Sequence, residues 1–394
     1  GERAVPAVEV VVHGILVAAA ASGAVFLALV FVNLGTTPRL SRVRVATPPL
    51  PGLSIIIPAR NEERDIAAAV GTQLAQDYPD FEVIVVNDGS ADRTGEILES
   101  LARENPRLRI LAGIDPPPGW LGKPHALWLG SRAAGGEILL FADADVRYDP
   151  RCVKEAVSFL QERRVDLLAL LPRMEAKGFW ENVLMPYVLG AFFLGPGFLA
   201  NSDRVRWMAA GGGAGNLIRR TAYEAIGGHE ALKASVVDDV ALAFRVKRCG
   251  LRVRSVRAED RVSVRMYRGF REVWNGFTKN IAYVFQGAPG ALLILLNAVW
   301  LVVILAPPTV LLASLLGARV SSGDVALAGA AAAGAIAARL VCAQALGDRL
   351  WPCLAHPIMA AVWAGIICRS FYYRVVLRRL SWRGREFDAR AARF

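Results

Sequence analysis

The stretch "ILLFADADV" (Ile138–Val146) carries a short apolar run directly into two carboxylates, Asp143 and Asp145. Runs with the same strand-like composition stand at 53–57 ("LSIII"), 82–86 ("EVIVV") and 108–112 ("LRILA"). Helical patterns lie between them, at 62–76 and 94–104. This alternation predicts an α/β fold with a mostly parallel sheet flanked by helices.

Polar side chains directly follow three of the four predicted strands. These are Arg60, Asn61 and Glu62 after the first strand, Asp88 after the second, and Asp143 and Asp145 after the fourth. A single carboxylate at a strand end is ordinarily a helix cap or a turn former. Ligands of parallel sheets bind at the carboxyl ends of the strands, so three such ends together favour a binding site.

Asp143 and Asp145 are two residues apart, so in an extended chain their side chains point the same way. Paired carboxylates repel unless a cation lies between them. Oxygen ligands suit Mg²⁺ or Mn²⁺, and Mg²⁺ is usually bound by one or two carboxylates together with substrate phosphates. The pair therefore predicts a divalent cation and a diphosphate-bearing substrate.

A second acidic pair, Asp238-Asp239, lies at the start of a predicted helix in "SVVDDVALAFRVKRCG" (235–250). One interpretation is favourable negative charge at a helix N-terminus. The other is a general base that removes a proton from an attacking hydroxyl. A metal-bound diphosphate leaving group and a carboxylate base are the minimum equipment for glycosyl transfer.

The composition points to a membrane protein. Hydrophobic residues make up 54% of the 394 residues, the formal net charge is +11, and the mean hydropathy is +0.36. Many arginines stand beside apolar runs, which favours lipid head groups as partners and argues against nucleic acid. The five cysteines form no C-x-x-C pair, so we expect neither a disulfide framework nor a zinc site.

Gly14–Val32 is an uncharged run of the length that crosses a bilayer, and we expect it to be an anchor rather than a cleaved signal. The chain begins at Gly1 rather than at a methionine, from which we expect a cut before it. The arginines that follow the anchor place the next domain in the cytoplasm by the positive-inside rule. They are Arg39, Arg42 and Arg44.

Three more apolar segments lie near the C-terminus, at 291–317, 325–346 and 350–368. Three crossings would leave the arginine-rich tail outside, whereas its charge argues for inside, so a re-entrant segment or a hairpin at Pro307-Pro308 stays open. The apolar stretch 182–202 contains prolines and glycines and suits a pair of interfacial helices.

These patterns together predict five regions. They are an N-terminal anchor at 1–38, a cytoplasmic catalytic domain at 50–265 with interfacial helices at 179–202, an interfacial helix at 266–286, membrane segments at 287–376 and a basic tail at 377–394.

Six motifs resemble, in order and spacing, those of family 2 glycosyltransferases. They are "SIIIPARNEE" (54–63), "VIVVNDGSADRT" (83–94), "GKPHALWLG" (122–130), "LLFADADV" (139–146), "GGAGNLIRRTAYEAIGGHEAL" (212–232) and "VVDDVAL" (236–242). The resemblance implies a GT-A fold and a nucleotide-diphosphate sugar donor. With its membrane segments the chain looks closest to ceramide glucosyltransferases and to carotenoid- and hopanoid-associated bacterial enzymes.

The resemblance also implies roles for individual residues. Pro58, Arg60, Glu62 and Asp88 would line the uridine pocket, Lys123 would lie near the diphosphate, Asp143 would face the donor, Asp145 would bind Mg²⁺ or Mn²⁺ together with Asp143, and Asp239 of the Asp238-Asp239 pair would be the catalytic base.

The chain departs from the family pattern at two places. Arg268 and Arg271 keep the arginine spacing of the Q/R-x-x-R-W motif, but Trp274 comes two positions late. We assign Arg271 and Trp274 a role beside the diphosphate, with an interfacial amphipathic helix as the open alternative. Asn87 stands where the family often has an acid. His125 and His229 are expected to be structural.

The function that we expect is inverting transfer of a sugar from a UDP-sugar, such as UDP-glucose, to a hydroxyl of a lipid acceptor. It would take place at the cytoplasmic face of a bacterial inner membrane. A processive polysaccharide synthase, a non-catalytic nucleotide-sugar-binding scaffold and a transporter are the alternatives.

Overall fold

The computed structural model describes residues 4–46, 49–284, 290–377, 379–382 and 385–388. The chain forms two compact units. The helical unit comprises Gly1–Gly35, Ala176–Gly197 and Tyr267–Leu377, and the sheet unit comprises Thr36–Glu175, Phe198–Met266 and Arg378–Phe394. The five predicted regions stay predictions, and Arg378, Arg383 and Arg390 of the predicted basic tail lie outside the described residues.

The strands of the described residues are, in chain order, β1 (Leu53–Ala59), β2 (Phe81–Asn87), β3 (Leu108–Ala112), β4 (Ile138–Phe141), β5 (Val146–Tyr148), β6 (Leu167–Leu171), β7 (Arg173–Met174), β8 (Asn216–Arg219), β9 (Val253–Arg257), β10 (Val262–Val264), β11 (Arg379–Trp382) and β12 (Arg385–Asp388).

The α-helices of the described residues are α1 (Ala4–Thr36), α2 (Ile66–Leu74), α3 (Thr94–Glu104), α4 (Gly122–Ala133), α5 (Cys152–Glu162), α6 (Phe179–Leu184), α7 (Pro186–Leu194), α8 (Arg220–Ala225), α9 (Asp238–Arg248), α10 (Gly269–Val284), α11 (Gly290–Leu315), α12 (Ser322–Leu346) and α13 (His356–Tyr372).

The main sheet of the sheet unit has the strand order β3-β2-β1-β4-β8-β6-β9. The pairs β1–β2, β2–β3, β1–β4 and β6–β9 are parallel, whereas β8 runs antiparallel to both of its neighbours. The first four strands are the four apolar runs predicted from the sequence. The predicted mostly parallel α/β sheet is confirmed.

The predicted helix at 62–76 is shorter than its pattern suggested, because α2 begins only at Ile66. The backbone N–H groups that precede it are bonded to side chains of the next loop. Glu62 N–H donates to Thr94 Oγ1 (2.8 Å) and Glu63 N–H donates to Asp92 Oδ2 (3.1 Å). These bonds hold the start of the segment in a turn.

Four helical segments of the described residues are long and apolar enough to cross a membrane. They are Val8–Thr36, Leu292–Leu315, Ser322–Leu346 and Trp351–Val376. One is N-terminal and three are C-terminal, as predicted. Pro307 and Pro308 lie inside the continuous helix α11, so the alternative of a hairpin at this point is wrong.

The apolar stretch after Gly178 forms the two short helices α6 and α7, as the prolines and glycines in the sequence indicated. Its position at a membrane surface stays a prediction. Arg39, one of the predicted positive-inside residues, forms an ion pair with Glu259 of the sheet unit (2.6 Å). The side of the membrane on which it lies also stays a prediction.

Glu82 on β2 joins several segments at the amino-terminal edge of the main sheet. Its carboxylate accepts hydrogen bonds from Ser54 Oγ (2.8 Å), Gly135 N–H (2.7 Å) and Arg109 Nη1 (2.8 Å). Burial alone would raise the pKa of Glu82, but these hydrogen bonds and the charge of Arg109 lower it below its ordinary value.

We expect Glu82→Gln to lower the free energy of unfolding by about 1–2 kcal/mol at pH 7, because a charge-assisted bond becomes a neutral one. A carboxylate with a lowered pKa contributes stability above its unfolded pKa, and this contribution is lost as the pH falls through its folded pKa. Thermal unfolding of the full-length protein should therefore separate variant and wild type at pH 7 and bring them together below about pH 4. The exposed Glu99→Gln is the control, and equal unfolding temperatures at pH 7 would contradict the assignment.

Candidate active site

The carboxyl-terminal ends of β2, β1 and β4 lie side by side, because these neighbouring strands are parallel. The structure therefore brings the predicted residues Arg60, Asp88 and Asp143 to one edge of the sheet. Arg60 Nη1 donates to the Asp88 carbonyl (2.6 Å) and lies 3.8 Å from Asp88 Oδ2. Pro58 lies on β1 beyond Ile56, the last residue paired with β4, so its missing N–H costs no bond to that strand.

The loops after β1 and β2 are bonded to each other along their length. Asn61 adopts a left-handed backbone conformation (φ 54°), and its Oδ1 accepts a hydrogen bond from Ala91 N–H (2.8 Å). This contact and the bond between Glu62 N–H and Thr94 Oγ1 join the two loops into one continuous wall. The residues predicted to bind uridine are carried by this wall and by β1.

The extended backbone predicted for Asp143–Asp145 is wrong. Strand β4 ends at Phe141, and Val146 N–H donates to the Asp143 carbonyl (3.3 Å), which closes a turn. The two carboxylates still interact: burial, followed by the negative charges of Asp143 and Glu62, raises the pKa of Asp145 to about 8. A turn, and not the extended backbone expected from the sequence, therefore brings the two carboxylates close together.

The described residues contain no ready-made group of three or more His, Cys, Asp or Glu side chains that could hold a metal ion. The carboxylates nevertheless fit a divalent cation in two respects. Asp145 and Asp143 offer the oxygen donors that Mg²⁺ and Mn²⁺ prefer. Their mutual repulsion, seen in the pKa of Asp145, is of the kind that a bound cation relieves.

Lys123, the second residue of α4, connects the two acidic pairs. Its Nζ lies 2.8 Å from Asp143 Oδ1 and 3.5 Å from Asp238 Oδ1. Burial alone would lower the pKa of Lys123, but the charges of Asp143, Asp238 and Asp239 raise it well above its ordinary value. The lysine is therefore a permanent cation between the end of β4 and the start of α9.

Asp238 and Asp239 both lie in the first turn of α9 but have different environments. Asp238 is buried, with 2% of its surface exposed, and burial with the charges of Asp239 and Asp143 raises its pKa to about 7 in spite of Lys123. Asp239 is half-buried, and its Oδ1 accepts a hydrogen bond from Val240 N–H (2.8 Å). Asp239 is therefore the member of the pair that a substrate can reach.

One residue of the site, Asn216, had no role in the sequence-based prediction. Asn216 Nδ2 donates to the Asp239 carbonyl (2.9 Å) and so fixes the backbone of the candidate base. The Gly213 carbonyl accepts a hydrogen bond from Asp143 N–H (2.8 Å), and a Cβ at Gly213 would overlap the Asp143 carboxylate. A lone polar residue opening the apolar strand "NLI" was the signal available for Asn216.

His229 is fully buried beside the acidic pair. Its Nδ1 is 2.9 Å from the Tyr223 hydroxyl, and its Nε2 is 3.9 Å from Asp238 Oδ2. Burial and the charge of Lys123 lower the pKa of His229 to about 3, so the ring is neutral. The buried His125 packs against Trp120 and Trp128. The structural roles predicted for both histidines stay predictions.

The predicted site residues fall into three sets. Lys123, Asp143, Asp238 and Asp239 line one small pocket, together with Gly213 and His229. Pro58, Arg60, Glu62 and Asp88 belong to the adjoining strand ends and loops. Arg271 and Trp274 lie on α10 in the helical unit, where Trp274 stacks on Phe270 with ring centroids 5.5 Å apart. The diphosphate role of this last set stays a prediction.

Known proteins are similar to the part of the chain that carries most of this site. Residues 54–227 match the family described as glycosyl transferase family 2. A 4,4'-diaponeurosporenoate glycosyltransferase of Staphylococcus haemolyticus (strain JCSC1435) is 28% identical over 58% of this chain and 61% of its own length. The enzyme of the same name from Staphylococcus aureus (strain MRSA252) is 30% identical over 58% of this chain and 60% of its own. The chain thus spans about three fifths of the curated relatives that it matches.

A solved structure supports the fold. The mannosyltransferase from Pyrobaculum calidifontis, in complex with GDP-Man and Mn²⁺, superposes with a TM-score of 0.51, covering 93% of this chain and 99% of its own, at 20% identity. The predicted GT-A-type fold is confirmed by this likeness and by the strand order.

We expect Lys123→Met to destabilise the protein by about 1–3 kcal/mol, because the buried Asp238 and the partly exposed Asp143 lose their shared cation. Adding Asp238→Asn to that variant should restore part of the loss, since one of the uncompensated charges is then removed. The readout is a double-mutant cycle of unfolding free energies on the full-length protein. Strictly additive effects of the two substitutions would contradict the coupling.

Proposed function

We propose that the protein is an inverting, metal-dependent membrane glycosyltransferase, because residues 54–227 match the family described as glycosyl transferase family 2. It transfers a sugar from a UDP-sugar to a hydroxyl of a lipid acceptor at the cytoplasmic face of a bacterial inner membrane. The names of the relatives favour a carotenoid-like lipid as the acceptor.

The placement of Lys123 is the observation that carries this proposal. Its ammonium lies between Asp143, where the donor is expected, and the acidic pair at the start of α9. Lys123 can therefore exchange its carboxylate contacts for a diphosphate as the donor binds. A lysine suits this task because it acts as a point charge with rotatable donors.

The wall formed by the loops after β1 and β2 supports donor binding. Arg60 is held by the Asp88 carbonyl, and Glu62 is fixed through its backbone N–H, so both are positioned before a nucleotide arrives. Asp145 and Asp143 would hold Mg²⁺ or Mn²⁺. The ion would supply positive charge to the diphosphate as UDP leaves.

Asp239 is the proposed general base. Its Oδ1 is occupied by Val240 N–H, which leaves Oδ2 to accept the proton of the acceptor hydroxyl. The acceptor oxygen forms a bond to the anomeric carbon as the bond from that carbon to the diphosphate breaks. The displacement inverts the anomeric centre, and UDP carries away the electron pair of the broken bond.

The test is UDP release from purified full-length protein in detergent with UDP-sugars, Mn²⁺ or Mg²⁺ and a lipid extract. Wild type should release UDP in a metal-dependent manner and place labelled sugar in the lipid fraction. Asp239→Asn should lower kcat by about 10²–10⁴-fold with UDP binding retained, since it removes only proton transfer. Asp145→Ala should abolish the metal-dependent rate.

The exposed Asp260→Asn is the matched acidic control and should behave like wild type. Tight UDP binding without turnover of any donor would favour the scaffold alternative. Sugar recovered as long polymer instead of glycolipid would favour the polysaccharide synthase.

A pair of adjacent glycines offers a sharper test of Asp143. We expect Gly213→Ala to weaken UDP binding in the presence of Mn²⁺ about tenfold or more, because the added methyl displaces the Asp143 carboxylate that would help to hold the metal ion at the diphosphate. Gly212→Ala meets no atom within 4 Å and should bind UDP as the wild type does. Titration calorimetry with UDP measures both, and equal affinities would remove Asp143 from the donor site.

A further inference from the structure

Arg339 lies within α12, a candidate membrane span, and is buried in the helical unit. Only 6% of its surface is exposed, and its Nη1 atom has no hydrogen-bond partner. Arg339 is seven residues from Leu346, the last residue of α12, so it lies about 10 Å inside that end of the helix. Ionisable residues at such depth are costly, and when present they ordinarily serve binding or transport.

The groups around Arg339 do not complete its hydrogen bonding. The charge of the guanidinium reaches Cys353, Tyr187 and His356. His356 also has a buried nitrogen, Nδ1, without a partner. The negative charge of Asp348 also reaches Cys353. Nη1 of Arg339 nevertheless has no hydrogen-bond partner.

The segment that carries Cys353 and His356 adds two features. His356 is the first residue of the 17-residue helix α13, whose N-terminal end carries the partial positive charge of the helix dipole. The residues beside it expose apolar side chains, with Leu354 70% and Ile358 48% exposed. The N-terminal end of α13, which is positive and can donate hydrogen bonds, thus lies next to an apolar surface.

We propose that Arg339, His356 and the first turn of α13 form a binding site for the acidic head group of a lipid, a carboxylate or a phosphate. The anion would accept hydrogen bonds from Arg339 Nη1 and from protonated Nδ1 of His356. The hydrocarbon chain would lie along Leu354 and Ile358. The site is independent of sugar transfer and stands whether or not the proposed function does.

The test is binding of labelled lipids to the purified full-length protein in a neutral detergent, without any nucleotide sugar. The probes are oleate, dioleoylphosphatidic acid and the uncharged oleyl alcohol. Wild type should bind at least one acidic probe saturably, in a 1:1 ratio, and should not bind oleyl alcohol in this way. Preference for oleate or for phosphatidic acid identifies a carboxylate lipid or a phospholipid as the source.

Arg339→Gln should weaken binding of the acidic probe at least about tenfold, the loss expected for a charge-assisted contact. His356→Ala, which leaves the guanidinium in place, should weaken it to a smaller extent and serves as the second variant if Arg339→Gln folds poorly. The exposed Arg349→Gln is the matched control and should bind as the wild type does. Equal binding by all variants, or binding of oleyl alcohol as tight as that of oleate, would overturn the proposal.

Discussion

The ammonium group of Lys123 is the charge on which the arrangement of the acidic site depends. It brings Asp143 at the end of the β4 segment and Asp238 at the start of α9 to one point. Two unit charges about 4 Å apart interact by about 4 kcal/mol at the effective dielectric constant of a protein surface. Without this cation the two carboxylates would repel each other. The site therefore needs positive charge before any ligand arrives, and the proposed diphosphate donor would increase that need.

The part of the site that the sequence predicted is the part fixed by local pattern. The four apolar runs are short, buried and separated by helices, so their strand character and parallel order follow from composition and connection length. Once the strands are parallel neighbours, the residues directly after them must share an edge. That is why Arg60, Asp88 and Asp143 could be grouped from the sequence without knowledge of a single distance.

The rest depends on contacts between residues far apart in the chain. The antiparallel strand β8 lies between β4 and β6, and no local pattern in "NLIR" distinguishes its direction. Asp238 differs from Asp239 because it is buried and forms an ion pair with Lys123, which lies more than a hundred positions earlier in the chain. The turn at Asp143–Val146 is set by the Gly213 carbonyl, which holds the Asp143 backbone from a distant segment.

In the helical unit, hydropathy likewise predicts local structure but not the contacts between distant residues. The apolar runs predicted its three C-terminal candidate spans, because length and composition are additive along a helix. An average over a helix treats Arg339 as one unfavourable residue among many, whereas the fold decides whether it faces lipid, water or protein. Lys123 and Arg339 are both enclosed cations, but carboxylates of the same chain surround the first, and the second keeps a buried nitrogen without a partner. A buried cation that carboxylates of its own chain surround organises a site, and a buried cation with an unsatisfied nitrogen in an apolar setting can take a ligand that completes its hydrogen bonding.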